Sequence, residues 1–234
     1  MTNASYQQRR GQIEDYFDRT AAAAWAKLTS DAPVGRIRAS VRAGRDRMRA
    51  TLLSWLGEDL RGKRILDAGC GTGALAVEAA RRGAQVVAID LSPTLVHLAR
   101  ERVPHDVAHL VEFHSGDMLD PALGQFDHVV AMDSIIHYQT EDAVQALAQL
   151  AERTSGSIVF TFAPRTPFLA AMISVGRLFP RGDRAPWLEP MAEQRIAHLM
   201  QAHSALSDWG CARTQRISSG FYKSQAMEWL RTCE

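Results

Sequence analysis

Two kinds of hydrophobic pattern divide the chain near residue 60. Up to that point the apolar residues recur at the three- to four-residue spacing of amphipathic helices. From Arg64 onward, short and nearly all-apolar runs alternate with amphipathic stretches. The apolar runs predict five strands, at 64–68, 85–89, 111–114, 127–132 and 157–162. The stretches between them predict three helices, at 74–82, 92–102 and 141–153.

The order of these elements indicates a fold class. Strands that are apolar on both faces and alternate with helices predict a parallel sheet covered by helices on both sides. Ser92 followed by Pro93 is a typical helix start, and Gly83 is a natural helix stop. The segment 168–202 is less regular, and two further strands are predicted at 212–218 and 221–227. We therefore expect a doubly wound α/β domain.

The clearest chemical signal is the glycine-rich loop 67–73 (DAGCGTG), which follows a predicted strand and opens a helix. Glycines there permit a tight turn and let a ligand lie against the backbone at a helix N-terminus. A plain turn and a G-x-G-x-x-A dinucleotide site both fit the spacing of Gly69, Gly71 and Ala74. S-adenosylmethionine is favoured because Asp67 suits a cationic ligand, the loop contains no basic residue, and a long helical segment precedes the first strand.

Acidic residues follow the next two predicted strands. Asp90 ends the second strand, where a carboxylate can accept hydrogen bonds from both ribose hydroxyls, or can instead cap the helix that follows. Asp117 follows the third strand and can accept from the adenine amino group while Met118 packs on the ring. The alternative for Asp117 is an ordinary turn residue after Gly116.

Composition narrows the classes of partner. Lys plus Arg total 27 against 26 for Asp plus Glu, and the net charge of +1 excludes bulk attraction to nucleic acid or anionic membrane. We expect neither a membrane-spanning helix nor a secretory signal, because the chain has no run of about 18 apolar residues and begins with polar ones. The segment 36–49 holds six arginines against one acid, and one or two of them are candidates to meet a carboxylate.

The three cysteines, Cys70, Cys211 and Cys233, lack C-x-x-C spacing, which suits a reducing cytosol and offers no metal cage.

The motifs DAGCGTG, AIDLS and GDM, with a fourth strand ending at Met132-Asp133, resemble the class I methyltransferases that use S-adenosylmethionine. The flanking segments resemble the magnesium protoporphyrin IX methyltransferases in particular. The segments that carry this second resemblance are Tyr16-Phe17 with Thr20 and Trp25, VRAGR at 41–45, IIHY at 135–138, FAPRT at 162–166, GRLFP at 176–180 and Phe221-Tyr222.

The resemblance implies an organisation for the whole chain. The fold that it implies is a Rossmann-like, mostly parallel seven-stranded sheet with an N-terminal helical arm and a lid insertion after strand five. Within this single domain the arm covers residues 1–60, the cofactor-binding core 61–163, the substrate lid 164–205 and the closing strands 206–234. The apolar stretch 168–186 would then cover a flat macrocycle, although it also reads as a core helix.

The implied reaction is methyl transfer from S-adenosylmethionine to one propionate of magnesium protoporphyrin IX, which gives the monomethyl ester of (bacterio)chlorophyll biosynthesis. A propionate with a pKa of about 4.3 is already ionised at pH 7, so a strong base is unnecessary. The resemblance implies His137 as the catalytic residue, which orients the propionate or removes its proton, with substrate contacts from Tyr16, Tyr138 and Arg165. The cofactor-binding residues that it implies are Asp67, Gly69, Cys70, Gly71, Gly73, Asp90, Leu91, Asp117, Met118 and Met132.

No protein-bound metal is implied, because magnesium arrives in the substrate. The large subunit of magnesium chelatase is a candidate partner, and the protein is expected in the cytoplasm with at most peripheral membrane contact. The chain departs from the family at two positions: Thr29 stands where oxygenic members have a Tyr, and Arg45 replaces the His of R-x-G-H, which points to the bacteriochlorophyll branch. Three other functions stay open, namely methylation of another apolar acceptor such as a quinone precursor, an NAD-dependent dehydrogenase, and a non-catalytic S-adenosylmethionine sensor.

Overall fold

The computed structural model describes residues 4–18, 35–166 and 188–232. Several sequence predictions fall outside these ranges and are not addressed by the structure. They concern Thr20, Trp25, Thr29, the stretch 168–186 and Cys233.

Six helices and seven strands make up the described regular structure. The helices are α1 (Ala4–Tyr16), α2 (Arg36–Leu56), α3 (Ala74–Arg81), α4 (Pro93–Arg102), α5 (Thr140–Ala151) and α6 (Glu193–Ala202). The strands are β1 (Arg64–Ala68), β2 (Gln85–Asp90), β3 (Val111–Ser115), β4 (Phe126–Ala131), β5 (Thr154–Phe162), β6 (Trp209–Ser219) and β7 (Tyr222–Arg231). Short 3₁₀ turns connect some of them, among them Ile135–His137 after β4.

The strands form one sheet in the order β3-β2-β1-β4-β5-β7-β6. Strands β1 to β5 pair in parallel, and Leu66 at the centre faces Val87 of β2 on one side and Val129 of β4 on the other. Strand β7 runs antiparallel to both of its neighbours, β5 and β6. The strand order reverses at β1 and β4, and ligands of doubly wound sheets bind at such a switch point.

The predicted mostly parallel seven-stranded α/β fold is confirmed, with each strand within a few residues of its predicted bounds. The largest shifts at a strand start are three residues: β5 begins at Thr154 rather than at residue 157, and β6 begins at Trp209 rather than at residue 212. The segment 168–202, which the sequence predicts to be less regular than the rest, ends in a regular helix, α6. Buried Ile196 and Met200, four residues apart, anchor that helix.

Two apolar cores lie on opposite faces of the sheet. Successive residues of β1 point into different cores. Leu66 belongs to the core that contains Leu147 of α5, whereas Ile65 belongs to the core that contains Met48 and Leu52 of α2. Because apolar side chains cover both faces of the sheet, polar side chains lie mainly at the ends of the strands. The carboxyl ends of β1, β2 and β4 lie together at one edge.

No described helix is both long enough and apolar enough to cross a membrane. Within 4–18, 35–166 and 188–232, no group of three or more His, Cys, Asp or Glu residues is arranged to hold a metal ion.

Candidate active site

A cavity of about 690 Å³ opens at the carboxyl ends of β1, β2 and β4, between the sheet edge, α1 and α2. Most of the residues predicted from the sequence to form the site line it. These residues are Tyr16, Asp67, Gly69, Cys70, Gly71, Asp90, Leu91, Asp117, Met118, Met132, His137 and Tyr138.

Two predicted site residues do not line this cavity among the described residues. Gly73 has a φ of +79° and caps the N-terminus of α3, where an added Cβ would lie 3.0 Å from the ring of Phe113. The structure therefore gives Gly73 a role in helix start and packing. Arg165 is exposed, and its backbone N–H donates to the carbonyl of Met191.

The glycine loop is closely packed against the segment that follows β4. Gly69 has a φ of +88°, and an added Cβ would lie 2.3 Å from Cβ of Ser134. Its backbone N–H donates to the carbonyl of Ile89 at 2.8 Å, which holds the loop beside β2. Only glycine fits this position, so the backbone is left bare toward the cavity. Burial also raises the pKa of the neighbouring Cys70 thiol, which stays neutral.

Asp67 is a buried acid with unused hydrogen-bonding capacity. Its side chain is 1% exposed, and its Oδ2 has no hydrogen-bond partner among the described residues. Burial and the nearby Asp90 charge raise the pKa of Asp67 to about 7, and a hydrogen bond from the Ala76 backbone opposes this rise. An unsatisfied buried carboxylate of this kind fits a ligand that brings a positively charged donor.

Asp90 bonds two backbone amides of its surroundings. Its Oδ2 accepts from the N–H of Gly71 at 2.8 Å, and its Oδ1 accepts from the N–H of Ser92 at 3.0 Å. The cap of α4 is the hydroxyl of Ser92, which accepts from the N–H of Leu95 at 3.2 Å. Asp90 therefore orders the turn before the helix, and each oxygen retains acceptor capacity.

Asp117 is engaged by helix α1. Its Oδ1 accepts from the hydroxyl of Tyr6 and from the N–H of Leu119, each at 2.9 Å, and its Oδ2 pairs with Arg10 at 2.9 Å. Sequence reasoning missed Tyr6 and Arg10. The only signal was the seven-residue spacing of Tyr6 and Ile13, the two buried residues of an otherwise polar helix.

His137 and Tyr138 follow β4 and lie under α1. His137 is buried in the 3₁₀ turn, and the ring of Phe17 meets it edge-on at 6.0 Å between centroids. The Tyr138 ring stacks on Tyr6 at 4.8 Å, and burial raises the pKa of Tyr138 above its ordinary value. Tyr16 packs edge-on against Phe17 at 5.2 Å. The cavity wall on this side is thus aromatic, with a neutral phenol and one imidazole.

A polar cluster around Asp133 was also missed. Asp133 has a φ of +54°, the one positive value among described residues other than glycine. Its carboxylate accepts from Arg45 at 2.5 Å and from the hydroxyls of Thr161 and Tyr222 at 3.1 Å. The Ser224 hydroxyl lies 3.3 Å away. The contacts join α2, the segment after β4, β5 and β7, so Arg45, one of the six arginines of 36–49, meets a carboxylate of the protein itself.

Two family models match different parts of the chain. Residues 65–155 match a family described as a methyltransferase domain, and residues 131–231 match one described as the magnesium-protoporphyrin IX methyltransferase C-terminus. The chain is 49% identical over 227 residues to the magnesium-protoporphyrin O-methyltransferase of Rhodobacter capsulatus, covering 97% of this chain and 98% of that protein. The chain belongs to the magnesium-protoporphyrin O-methyltransferase family.

Two further members of the magnesium-protoporphyrin O-methyltransferase family are similar. The chloroplastic magnesium protoporphyrin IX methyltransferase of Arabidopsis thaliana is 32% identical, over 92% of this chain and 69% of that protein. The crystal structure of the Synechocystis PCC 6803 enzyme with bound SAH superposes on this chain with a TM-score of 0.83. The two sequences are 28% identical, and the match covers 95% of this chain and all of that one.

Family membership confirms the expected cofactor class. The family uses S-adenosylmethionine, so the dinucleotide interpretation of the glycine loop is set aside. The residues present fit this cofactor, because the bare backbone at Gly69 and the unsatisfied oxygen of Asp67 face the same cavity.

Proposed function

We propose that this chain transfers the methyl group of S-adenosylmethionine to a propionate carboxylate of magnesium protoporphyrin IX and forms the monomethyl ester. The observation that carries the proposal is the arrangement of one cavity. Buried acids suited to a cationic cofactor lie at the sheet edge, and an aromatic wall with His137 lies beside them. Family membership supports the choice of substrate.

Three acids are assigned to the cofactor. Ionised Asp67 binds the amino group through its unsatisfied Oδ2, and Asp90 accepts from the ribose hydroxyls with the lone pairs that Gly71 and Ser92 leave. Asp117 has one acceptor position left on Oδ2 for the adenine amino group, while Met118 packs on the ring. Backbone at Gly69 and Gly71 and the side chains of Cys70, Leu91 and Met132 complete the contacts.

The substrate side orients and desolvates a carboxylate. When bound, the cofactor supplies a methyl group that a carboxylate oxygen accepts as the carbon–sulfur bond breaks. The propionate is ionised at neutral pH, so no proton must move. We assign His137 to orienting it by a hydrogen bond, and Tyr138 and Tyr16 to the wall that excludes water.

The remaining assignments rest on sequence. We infer an arm over residues 1–60, a core over 61–163, a lid over 164–205 and closing strands over 206–234. Arg165 is assigned to the substrate from its sequence motif alone, because it is exposed and does not line the cavity among the described residues. We infer that the protein works in the cytoplasm, with at most peripheral membrane contact, and receives its porphyrin from the enzyme that inserts magnesium, through that chelatase's large subunit.

His137→Ala tests the role assigned to this side chain. If His137 orients the propionate, kcat falls by roughly ten- to a thousandfold while the affinity for S-adenosylhomocysteine and the Tm stay near wild type. The matched control is His97→Ala, since His97 is an exposed residue of α4 outside the cavity. Steady-state kinetics, calorimetry and thermal melts provide the readouts.

The pH profile of the wild type separates the two roles of His137. An obligatory base produces a rate that declines below the ordinary histidine pKa of about 6.5 and a much larger loss in the variant. A flat kcat between pH 5.5 and 8, measured at saturating S-adenosylmethionine, supports orientation. Full activity of His137→Ala removes this residue from the chemistry.

A further inference from the structure

One face of helix α2 lines the cavity opposite the cofactor acids. The lining positions recur every three or four residues, which identifies them as a single helical face. They are Arg38, Val41, Arg42, Arg45, Asp46 and Arg49. Lys223 of β7, whose ammonium donates to the hydroxyl of Ser218, also lines the cavity, so cations exceed acids in this part of the described lining.

Two inner arginines of this face have acidic partners. Arg45 pairs with Asp133 at 2.5 Å, and Arg49 pairs with Glu78 at 2.6 Å and with Asp46 at 2.9 Å. Arg38 lies at the outer end of the face and is exposed, and no described acid forms an ion pair with it. The outer end of the cavity thus retains positive charge that these contacts do not neutralise.

The turn between β6 and β7 packs against the same end of α2. A Cβ added at Gly220 would lie 2.4 Å from Oγ of Ser40, so the turn contacts the helix closely. Phe221 and Lys223 follow this turn, and both line the cavity together with Arg38. Phe221 is 50% exposed, which is unusual for a large apolar side chain. Exposed aromatic area beside two cations matches a ligand that is both flat and anionic.

The spacing along α2 sets a distance between this end and the sheet edge. Arg38 precedes Arg45 by seven residues, which is two turns or about 10 Å along the helix axis. Arg45 contacts Asp133, which follows β4 and precedes His137 by four residues. The outer end therefore lies two helical turns from the Arg45–Asp133 pair, and Asp133 and His137 line the same cavity.

We propose that Arg38 and Lys223 bind the second propionate of the porphyrin, the one that is not methylated, with Phe221 packed against the macrocycle. This inference rests on the proposed function. Arginine binds a carboxylate through two parallel N–H donors, which fixes its direction as well as its position. The macrocycle is then held in one orientation, with one propionate at the outer end and the other beside His137.

The arrangement determines which ester forms. The two propionates are chemically almost alike, so a site that held only the reacting group would methylate either of them. A second methylation requires the monoester to turn over and place an uncharged ester against Arg38 and Lys223, which is unfavourable. The site therefore releases one regioisomer of the monoester and no diester.

The test compares Arg38→Gln, Lys223→Gln and the double variant with wild type. The matched control is Arg47→Gln, because Arg47 is an exposed residue of the same helix that does not line the cavity. Regioisomers and diester are resolved by chromatography, KM is measured for magnesium protoporphyrin IX, and S-adenosylhomocysteine affinity is measured by calorimetry. Arg38→Lys tests whether charge alone restores binding.

We expect KM to rise roughly tenfold or more in each single variant and further in the double variant, with a second regioisomer or diester appearing. S-adenosylhomocysteine affinity should stay unchanged, which also shows that the variants fold. A loss of S-adenosylhomocysteine affinity instead assigns these cations to the cofactor carboxylate and overturns the proposal. A product pattern and a KM equal to those of Arg47→Gln also overturn it. If the wild type forms no ester at all, the proposed function itself is refuted. If the wild type is active and the variants behave like it, only the assignment of Arg38 and Lys223 is refuted.

Discussion

The hydroxyl of Tyr6 donates a 2.9 Å hydrogen bond to Oδ1 of Asp117. The same ring stacks on Tyr138 at 4.8 Å, so a single residue of α1 contacts both the cofactor acid after β3 and the substrate side after β4. Helix α1 has few other buried residues to hold it in place. Its position over the cavity therefore depends on these contacts together with the polar ones that Ser5 makes to Asp142 and Arg9 to Glu189, and a ligand beneath it should stabilise it.

Tyr6→Phe removes the hydrogen bond and keeps the aromatic stack. We expect trypsin to cleave after Arg9 or Arg10 roughly five- to tenfold faster in the ligand-free variant, because local opening of α1 becomes easier. S-adenosylhomocysteine should slow cleavage in wild type more than in the variant. Cleavage at the wild-type rate in both states would mean that the stack and the Arg10–Asp117 pair hold α1 without this bond.

Asp67→Asn tests the buried acid through pH. The folded-state pKa of Asp67 is about 7, above its ordinary value, so the folded protein binds this proton more tightly than the unfolded chain does. The stability that the proton contributes is present at low pH and is lost as pH rises through 7. Urea unfolding of the ligand-free proteins should therefore show Asp67→Asn gaining stability relative to wild type as pH rises from about 4, the ordinary carboxyl pKa, to about 7, with no further gain above about pH 8.

Wild type and Asp67→Asn should also differ in how their ligand affinity depends on pH, and here the ionised carboxylate favours wild type. Wild-type affinity for S-adenosylhomocysteine should increase between about pH 6 and pH 8 as Asp67 ionises, because the ionised form binds the amino group. Asp67→Asn should bind about ten- to a hundredfold more weakly at pH 8 and show little pH dependence in this window. Identical pH profiles for the two proteins would place the amino group elsewhere.

Gly44→Ala tests the contact between α2 and β7. An added Cβ would lie 2.5 Å from Cδ1 of Tyr222 and 2.9 Å from its Cβ, so helix and strand must separate. We expect a loss of about 1–3 kcal/mol in unfolding free energy and lower activity, since Tyr222 and Arg45 share Asp133.

The matched change is Gly11→Ala in α1, where nothing lies within 4 Å of the added atom. This variant should be neutral or more stable by about 0.5–1 kcal/mol, because alanine favours a helix over glycine. Equal stability of Gly44→Ala and Gly11→Ala in chemical unfolding would show that α2 does not need this close approach.

Asp90→Ala should weaken S-adenosylhomocysteine binding by about ten- to a hundredfold, because the ribose hydroxyls lose a charged acceptor. The variant also frees the N–H groups of Gly71 and Ser92, so thermal melts accompany the calorimetry. Unchanged affinity in a folded variant would limit Asp90 to ordering the turn before α4.

The sheet was predictable because its strands are short and apolar on both faces, and because Gly83 and the Ser92–Pro93 pair end and start helices by local chemistry. The acids at the ends of β1 to β3 followed from the parallel order, since the carboxyl ends of parallel strands share one edge. These signals lie within a few residues of one another along the chain.

The contacts that the sequence could not reveal join distant segments. Tyr6 and Asp117 are 111 residues apart, and Tyr222 and Asp133 are 89 apart, so no local pattern connects them. Gly73 and Arg165 illustrate the opposite case: both stand in recognisable motifs, yet neither lines the cavity among the described residues. A motif places a residue on the correct loop, but only packing determines where its side chain lies.

The central claim is the transfer of methyl to a porphyrin carboxylate, and one measurement tests it most directly. Pure protein is incubated with methyl-labelled S-adenosylmethionine and magnesium protoporphyrin IX, and the porphyrin product is then hydrolysed with base. The account predicts label in the porphyrin, released as methanol on hydrolysis, because an ester bond holds it. Label that resists base, label that enters a quinone precursor but no porphyrin, or cofactor binding without transfer would contradict the account.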